Sequence, residues 1–297
     1  PLYFYKSKYG FFFGSETKFI KRLSQKAFQI NSAKLNQYLS FGARSLHKDN
    51  KTFYNEIFTV KNSENLVINS ELNIIKKKYW KPTPSPKNHK IQDIYDTSKD
   101  LLLTSLERRL RADVPMAFLL SGGIDSGGLA SLAVKKFNKK INTFSIVDED
   151  NKYNEIKNIK KVVADLDCKN NVIKVSKNNF INNLLQQIKY HHSPVFTLAQ
   201  YLHCELMKKI NPTGTKVVIS GTGADEIYTG YYDHFLMYLA NIRNKSNYKS
   251  ELFFWEKFIR SKIRNPIFKD KNLFINNPKF REHIYDSSSI LSQNLIS

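Results

Sequence analysis

Apolar and polar positions follow two regimes along the chain. Up to about residue 80 the apolar runs are short and strand-like. Leu2–Tyr5 and Tyr9–Phe13 flank the polar Lys6–Lys8, the layout of a hairpin. Ser15, Glu16 and Thr17 open a short helical pattern over Lys18–Leu23, with Glu16 placed to favour the helix N-terminus. Ala33–Ser40 predicts another short helix, and Asn65–Asn69 with Leu72–Lys76 a second hairpin. Then Pro82, Pro84 and Pro86 alternate with other residues, which makes a stiff, extended spacer. This is where the domain boundary is read.

Beyond the spacer, helix and strand patterns alternate. Ile91–Leu110 is amphipathic, with Ile94, Leu101, Leu102, Leu106 and Leu110 on its apolar positions. Strand patterns fall at Val114–Leu120, Ile141–Val147, Asn171–Val175 and Lys216–Ile219. Helical patterns fall at Leu129–Phe137, Asn154–Leu166, Phe180–Tyr190 and Leu198–Ile210. Such a rhythm predicts an α/β fold, an open parallel sheet flanked by helices. Sheets of this kind bind ligands at the carboxyl ends of their strands, and Ser121 and Ser220 each lie just past such an end. Residues 232–297 read as mainly helical and aromatic-rich.

Composition narrows the class. A chain of 297 residues carries a prior of roughly two domains. An apolar content of 41% suffices for real cores and is too high for a disordered chain. No apolar run nears the roughly 18 residues of a membrane span. The aromatic start, PLYFYKSKYGFFFG, lacks a signal peptide's layout and an initiator Met, so the chain is expected to be a piece of a longer protein. Cys168 and Cys204 lie in unrelated segments without metal-ligand spacing, which points to a reducing cytoplasm rather than a disulfide framework. The net charge of +21 invites a nucleic-acid reading. Yet the basic runs at Lys76–Lys78 and Arg108–Arg111 are short, there is no RNP-like aromatic motif, and a polyanionic cosubstrate such as ATP also accounts for part of the charge.

The candidate chemistry sits in two loops. In Phe118–Ser131, FLLSGGIDSGGLAS, an apolar strand runs into Ser121, Gly122, Gly123, Ile124, Asp125 and Ser126, and then into a helix. Glycines let the backbone approach a ligand, and unpaired N–H groups converge at the positive end of the helix, an anion site and most simply a phosphate site. The second loop, Ile219-Ser-Gly-Thr-Gly-Ala-Asp-Glu226, repeats the plan. Its acidic residues serve equally as plain helix-dipole complements when taken alone. Taken with the first loop, Asp125 and Asp225 could hold a Mg²⁺ on a polyphosphate. His191 and His192 are read as helix-end dipole partners rather than metal ligands. Glu155 is read either as orienting the glycine loop or as a helix-surface charge, and Tyr231 and Tyr232 as packing residues.

At these residues the chain resembles a known family. SGGIDS is similar to the pyrophosphate loop of ATP pyrophosphatases. With Arg109-Leu-Arg-Ala-Asp-Val-Pro115 before it and Ser220-Gly-Thr-Gly-Ala-Asp-Glu226…Gly230-Tyr231 after it, the chain resembles the glutamine-hydrolysing asparagine synthetases. Phe144–Ile146 and Tyr153-Asn-Glu155 fit that family's next strand and helix. Pro1-Leu-Tyr-Phe and Phe13-Gly-Ser-Glu-Thr-Lys18 resemble the end of its N-terminal-nucleophile glutaminase domain. The resemblance implies a Rossmann-like ATP-pyrophosphatase domain over 86–297, truncated at its C-terminus, after the β-rich end of a glutaminase domain over 1–85. It implies that a carboxylate, aspartate by default, attacks the α-phosphorus of MgATP, and that glutamine-derived ammonia then converts the acyl-adenylate to an amide, giving asparagine. Ser121, Gly122, Gly123, Asp125 and Ser126 would hold pyrophosphate. Leu120, Ile146, Ser220 and Gly221 would contact the nucleotide. Asp125 and Asp225 would be the Mg²⁺ ligands. The implied partners are small molecules, ATP, a carboxylate and glutamine, and a homodimer is compatible with the resemblance; the apolar runs speak against a membrane, and the short basic runs disfavour nucleic acid.

Two departures matter. The family has Glu between the two glycines of the second loop, proposed to handle the proton of the attacking amine. Here that catalytic position is Thr222, which cannot act as a carboxylate base. Relatives that close β-lactam rings replace the same Glu by tyrosine, so an acceptor other than aspartate, such as a sugar-linked carboxylate, is the variant reading. A tRNA-modifying ATP pyrophosphatase is the other alternative. The family's N-terminal Cys nucleophile and its later catalytic lysine find no counterpart within these residues.

Overall fold

The computed structural model describes residues 1–43, 46, 49–83, 89–147, 155–174 and 178–276. The expected domain boundary at 85/86, Pro84 and Pro86 of the spacer, Tyr153, Asn154, Val175 and the tail beyond Asn276 lie outside the described residues. The chain forms two compact units, residues 1–83 with 178–201, and residues 89–174 with 202–276.

In the first unit, β1 (Tyr3–Lys6) and β2 (Phe11–Gly14) form the expected hairpin, paired from Tyr3↔Gly14 to Lys6↔Phe11. Its turn closes because the Ser7 hydroxyl accepts the N–H groups of Tyr9 and Gly10. Helices α1 (Thr17–Ser24) and α2 (Ser32–Phe41) follow. Glu16 sits at the N-cap position of α1 but makes no capping bond; its carboxylate pairs with Lys18 at 3.0 Å instead. Asn31 does cap α2, accepting from Lys34 N. β3 (Phe58–Thr59) completes a sheet of order β2-β1-β3, and β4 (Glu64–Ile68) with β5 (Ile74–Lys78) forms the second expected hairpin. Tyr5, Ile20, Phe28 and Ile57 are the buried centre of this unit.

The second unit begins with α3 (Ile91–Arg109) and carries a four-stranded parallel sheet. Its strands are β6 (Met116–Leu119), β7 (Asn142–Val147), β8 (Lys169–Lys174) and β9 (Val217–Ile219), in spatial order β8-β7-β6-β9. Between them run α4 (Ile124–Ser131), α5 (Ile156–Leu166), α6 (Phe180–His191) and α7 (Leu198–Ile210). Alternation along β6 divides two cores. Phe118 packs with Leu106, Leu110, Ala130, Ala133 and Leu166 on one face, while Ala117 packs with Phe144, Leu206 and Ile210 on the other. Burying a side chain the size of Phe118 contributes roughly 1.5–3 kcal/mol.

Three elements differ from their patterns. α4 begins at Ile124, not at Leu129, because Gly127 and Gly128 hide the apolar period over a stretch that is already helical; its end is a π-helical turn, Leu132–Lys136. β8 starts two residues before the predicted Asn171, and its polar first half has a structural role: the Asn170 side chain accepts from the buried hydroxyls of Thr143 (2.9 Å) and Ser145 (3.1 Å). α6 is helical where the period places it, yet it packs within the first unit. There the Tyr54 hydroxyl donates to His192 O (2.7 Å), Lys18 donates to Tyr190 O (3.3 Å), and the Phe196 ring meets those of Tyr38 and Phe53.

Past β9 come α8 (Ala224–Tyr228), α9 (Tyr232–Asn241), α10 (Tyr248–Phe254) and α11 (Leu273–Asn276), the expected helical region. Leu236, Leu239, Trp255, Ile263 and Phe274 form their own buried cluster. Among the described residues no helix is long and apolar enough to cross a membrane.

His192 stands where α6 ends, in the left-handed region at φ 53. Burial, then the Lys21 ammonium 3.3 Å from Nδ1 and that of Lys18, hold its pKa below the ordinary value, with Glu16 opposing. The folded state therefore favours neutral imidazole, and its contribution to stability is complete above pH 6.5 and is lost as pH falls through the lower folded value. His192→Asn tolerates the same backbone conformation and should reduce the acid-side fall in thermal midpoint, measured in melts from pH 7.5 downwards.

Candidate functional site

β6 and β9 are neighbours at the point where the strand order reverses, so the loops leaving their carboxyl ends open into one crevice. The first loop is held by its own hydroxyls. Ser126 Oγ accepts from Ser121 N (3.1 Å), lies 3.0 Å from Ser121 Oγ and donates to Gly123 O (3.3 Å). Ser121 Oγ accepts in turn from Gly123 N (3.3 Å). Gly122 is at φ +84, and a Cβ there would sit 3.1 Å from both Cβ and O of Glu155. Glycine is thus demanded by the backbone angle and by the closeness of α5. Glu155, just before α5, buttresses the loop with its backbone and Cβ. Gly123 is the N-cap of α4 and has no side chain to cap with, which leaves the first turn's N–H groups facing outward.

The second loop copies the device. Ser220 Oγ accepts from Thr222 N (3.1 Å) and lies 2.7 Å from Thr222 Oγ1. Gly223, at φ +101, turns the chain into α8. The two loops then touch. A Cβ on Gly221 would lie 2.9 Å from Ser126 N and 3.0 Å from Asp125 Cβ, so the Gly221 backbone rests directly on the first turn of α4.

Together they enclose a cavity of about 210 Å³. Leu120, Ser121, Gly123, Asp125, Ser126, Ile146, Ser220, Gly221 and Thr222 line it, nine of the residues singled out in the sequence. Two others do not. Gly122 faces Glu155 instead. Asp225 lies in the first turn of α8, where its carboxylate abuts Gly230. The structure adds Leu119, Phe144, His203 and Leu206 to the wall. His203 escapes a reading by motif because it belongs to no motif. The helical period of α7, with Leu206 and Ile210 buried against the sheet, is the only sequence signal that points one turn upstream to it.

The lining is chemically mixed. Ser121, Asp125, Ser126, Ser220 and Thr222 supply hydroxyls and a carboxylate, while Leu119, Phe144, Ile146 and Leu206 belong to one packed apolar cluster and Leu120 to another. All the polar donors and acceptors of the two loops are oxygen or amide groups, a set that suits Mg²⁺ accompanied by phosphate rather than a soft metal. Among the described residues no cluster of three His, Cys, Asp or Glu could hold an ion without help from a ligand. The Tyr231 hydroxyl donates to Glu226 (2.8 Å) and holds its carboxyl below the usual range. The Tyr231 ring meets that of His234 as a packing residue would, yet both Tyr231 and Tyr232 are exposed rather than buried in a core. Burial pushes the thiols of Cys168 and Cys204 up, so neither is an activated nucleophile.

The sequence model of the family described as Asparagine synthase matches residues 97–283. The chain belongs to the asparagine synthase family. It is 28% identical over 231 residues to Asparagine synthetase (glutamine-hydrolyzing) 1 of Bacillus subtilis (strain 168), covering 78% of this chain and 36% of that protein. It is 29% identical over 281 residues to Asparagine synthetase (glutamine-hydrolyzing) 2 of the same strain, covering 88% of this chain and 35% of that protein. The chain therefore spans about a third of the length of these curated relatives. An NH3-dependent NAD synthetase of Campylobacter jejuni subsp. jejuni NCTC 11168 superposes with a TM-score of 0.32 at 17% identity, over 69% of this chain and 93% of that one, too loosely to bear on the site. The asparagine synthase match contains both loops, α7 and the helical cluster beyond them.

The packing of Gly221 yields a paired test. Gly221→Ala places a methyl group against backbone that must move, and should destabilise the chain by about 1–3 kcal/mol. Gly128→Ala, where an added Cβ meets nothing within 4 Å, should stabilise α4 by about 0.5–1 kcal/mol. Urea unfolding of the two variants reads both signs; equal effects would contradict the close loop contact.

Proposed function

We propose that this chain carries the ATP-dependent, amide-forming site of a carbon–nitrogen ligase. The observation that carries the proposal is the contact of the two strand-end loops at Gly221, which brings phosphate-suited polar groups and apolar side chains to one cavity. In this reading the N–H groups of the Ser121–Ser126 loop and the start of α4 receive the phosphate oxygens, where charge gathers as pyrophosphate leaves. Ser121 and Ser126, already bonded to each other, fix the loop and save reorganisation. Leu120, Ile146, Ser220 and Gly221 hold the nucleotide. Asp125, which lines the cavity, is the side chain proposed to hold a Mg²⁺ that would neutralise charge on the polyphosphate; Asp225, turned against Gly230 and outside the lining, could join it only by reorienting.

The reaction is two displacements. A carboxylate oxygen bonds to the α-phosphorus while the bond to pyrophosphate breaks. Ammonia then bonds to the acyl carbon, AMP departs with the electron pair of the carbon–oxygen bond, and a proton is lost from the amine. Aspartate is the default acceptor and glutamine the proposed source of ammonia, following the names of the relatives. Thr222 favours a second reading, an acceptor other than aspartate such as a sugar acid. Its hydroxyl stands at the cavity wall, tied to Ser220, and offers no carboxylate for the amine's proton.

ATP–pyrophosphate exchange on the full-length protein tests both. Exchange with aspartate is the expected result, and it should fall about a hundredfold or more in Asp125→Asn. Exchange with another carboxylate alone moves the acceptor to the second reading, with Thr222→Glu then the informative variant. Exchange unchanged in Asp125→Asn would remove Asp125 from the site.

A further inference from the structure

We infer that His203 is the residue by which this cavity recognises the nucleoside end of its ligand. The inference rests on the ATP reading above and adds to it a specificity-determining contact. His203 stands on α7, one turn before Leu206, and both side chains line the cavity. Leu206 is buried against the sheet with Phe144, and Ile146 packs on the same cluster. With Leu119, which packs on the same cluster, these make the apolar part of the lining, suited to a flat, uncharged ring system. The rest of the lining includes Ser121, Gly123, Asp125 and Ser126 of the β6 loop and the start of α4, whose chemistry suits phosphate and its cation. Among the described residues His203 is the one ring-bearing polar residue lining the cavity, and it shares α7 with Leu206 of the apolar cluster.

The fold makes no evident use of this imidazole. Its side chain is exposed, and among the described residues no hydrogen bond, ion pair or ring contact engages it. A neutral imidazole presents one donor and one acceptor in the plane of a flat ring. That combination matches a nucleobase or a ribose edge, by hydrogen bond or by stacking, whereas a phosphate chain could use only the imidazole's donor.

The test separates the two ends of the ligand. Equilibrium binding of MgATP and of inorganic tripolyphosphate with Mg²⁺ is measured on the full chain for wild type, His203→Ala and His203→Gln. A lost hydrogen bond or stack in His203→Ala should weaken ATP roughly five- to tenfold and leave tripolyphosphate unchanged, with partial recovery in His203→Gln, which keeps a donor and an acceptor. Retained tripolyphosphate binding also shows that the variant is folded. ATP affinity unchanged in His203→Ala, or equal weakening of both ligands, overturns the inference and leaves the ATP reading standing. Failure of wild type to bind either ligand overturns the ATP reading itself.

Discussion

A missing side chain sets the geometry of the carboxyl edge of this sheet. At position 221 the backbone lies so close to α4 that an added methyl group would meet Ser126 N at 2.9 Å. That contact brings the hydroxyl-held turn after β6 and its copy after β9 to the edge of one cavity. Its polar lining combines backbone at Gly123 and Gly221 with the hydroxyls of Ser121, Ser126, Ser220 and Thr222 and the Asp125 carboxylate.

That construction explains what could be read from residue order. Strand–glycine–helix punctuation is local, so Ser121–Ser126 and Ser220–Asp225 stand out in the chain, and the hairpins and the parallel sheet follow from period and turn residues. Tertiary choices are not local. Nothing in the period of Phe180–His191 says that α6 packs beside Tyr54 and Lys18. Gly127 and Gly128 mask the start of α4, since helix period is read from side chains that glycine lacks. The direction of Asp225 is set by how closely Gly230 returns to it, and His203 enters the cavity through the packing of a helix against the far face of the sheet.

Polar residues inside the sheet follow the same division. Thr143 and Ser145 are almost fully buried on β7, an arrangement that costs stability unless each hydroxyl is bonded. Asn170 accepts from both, and Thr143 also donates to Lys169 O. The polar first half of β8, unpromising as strand sequence, is the complement of its neighbour.

The strand order also has a consequence in time. β7 pairs with β6 after a short excursion of chain, Ala117 meeting Asn142, whereas β9 reaches β6 only after about a hundred residues, Met116 meeting Val217. Closing the longer loop costs more entropy than closing the shorter one, so by sequence separation the β6–β9 ladder is the one expected to form later. A ligand that needs both loops would bind only chains in which β9 has joined β6, and by mass action it would favour that joined state.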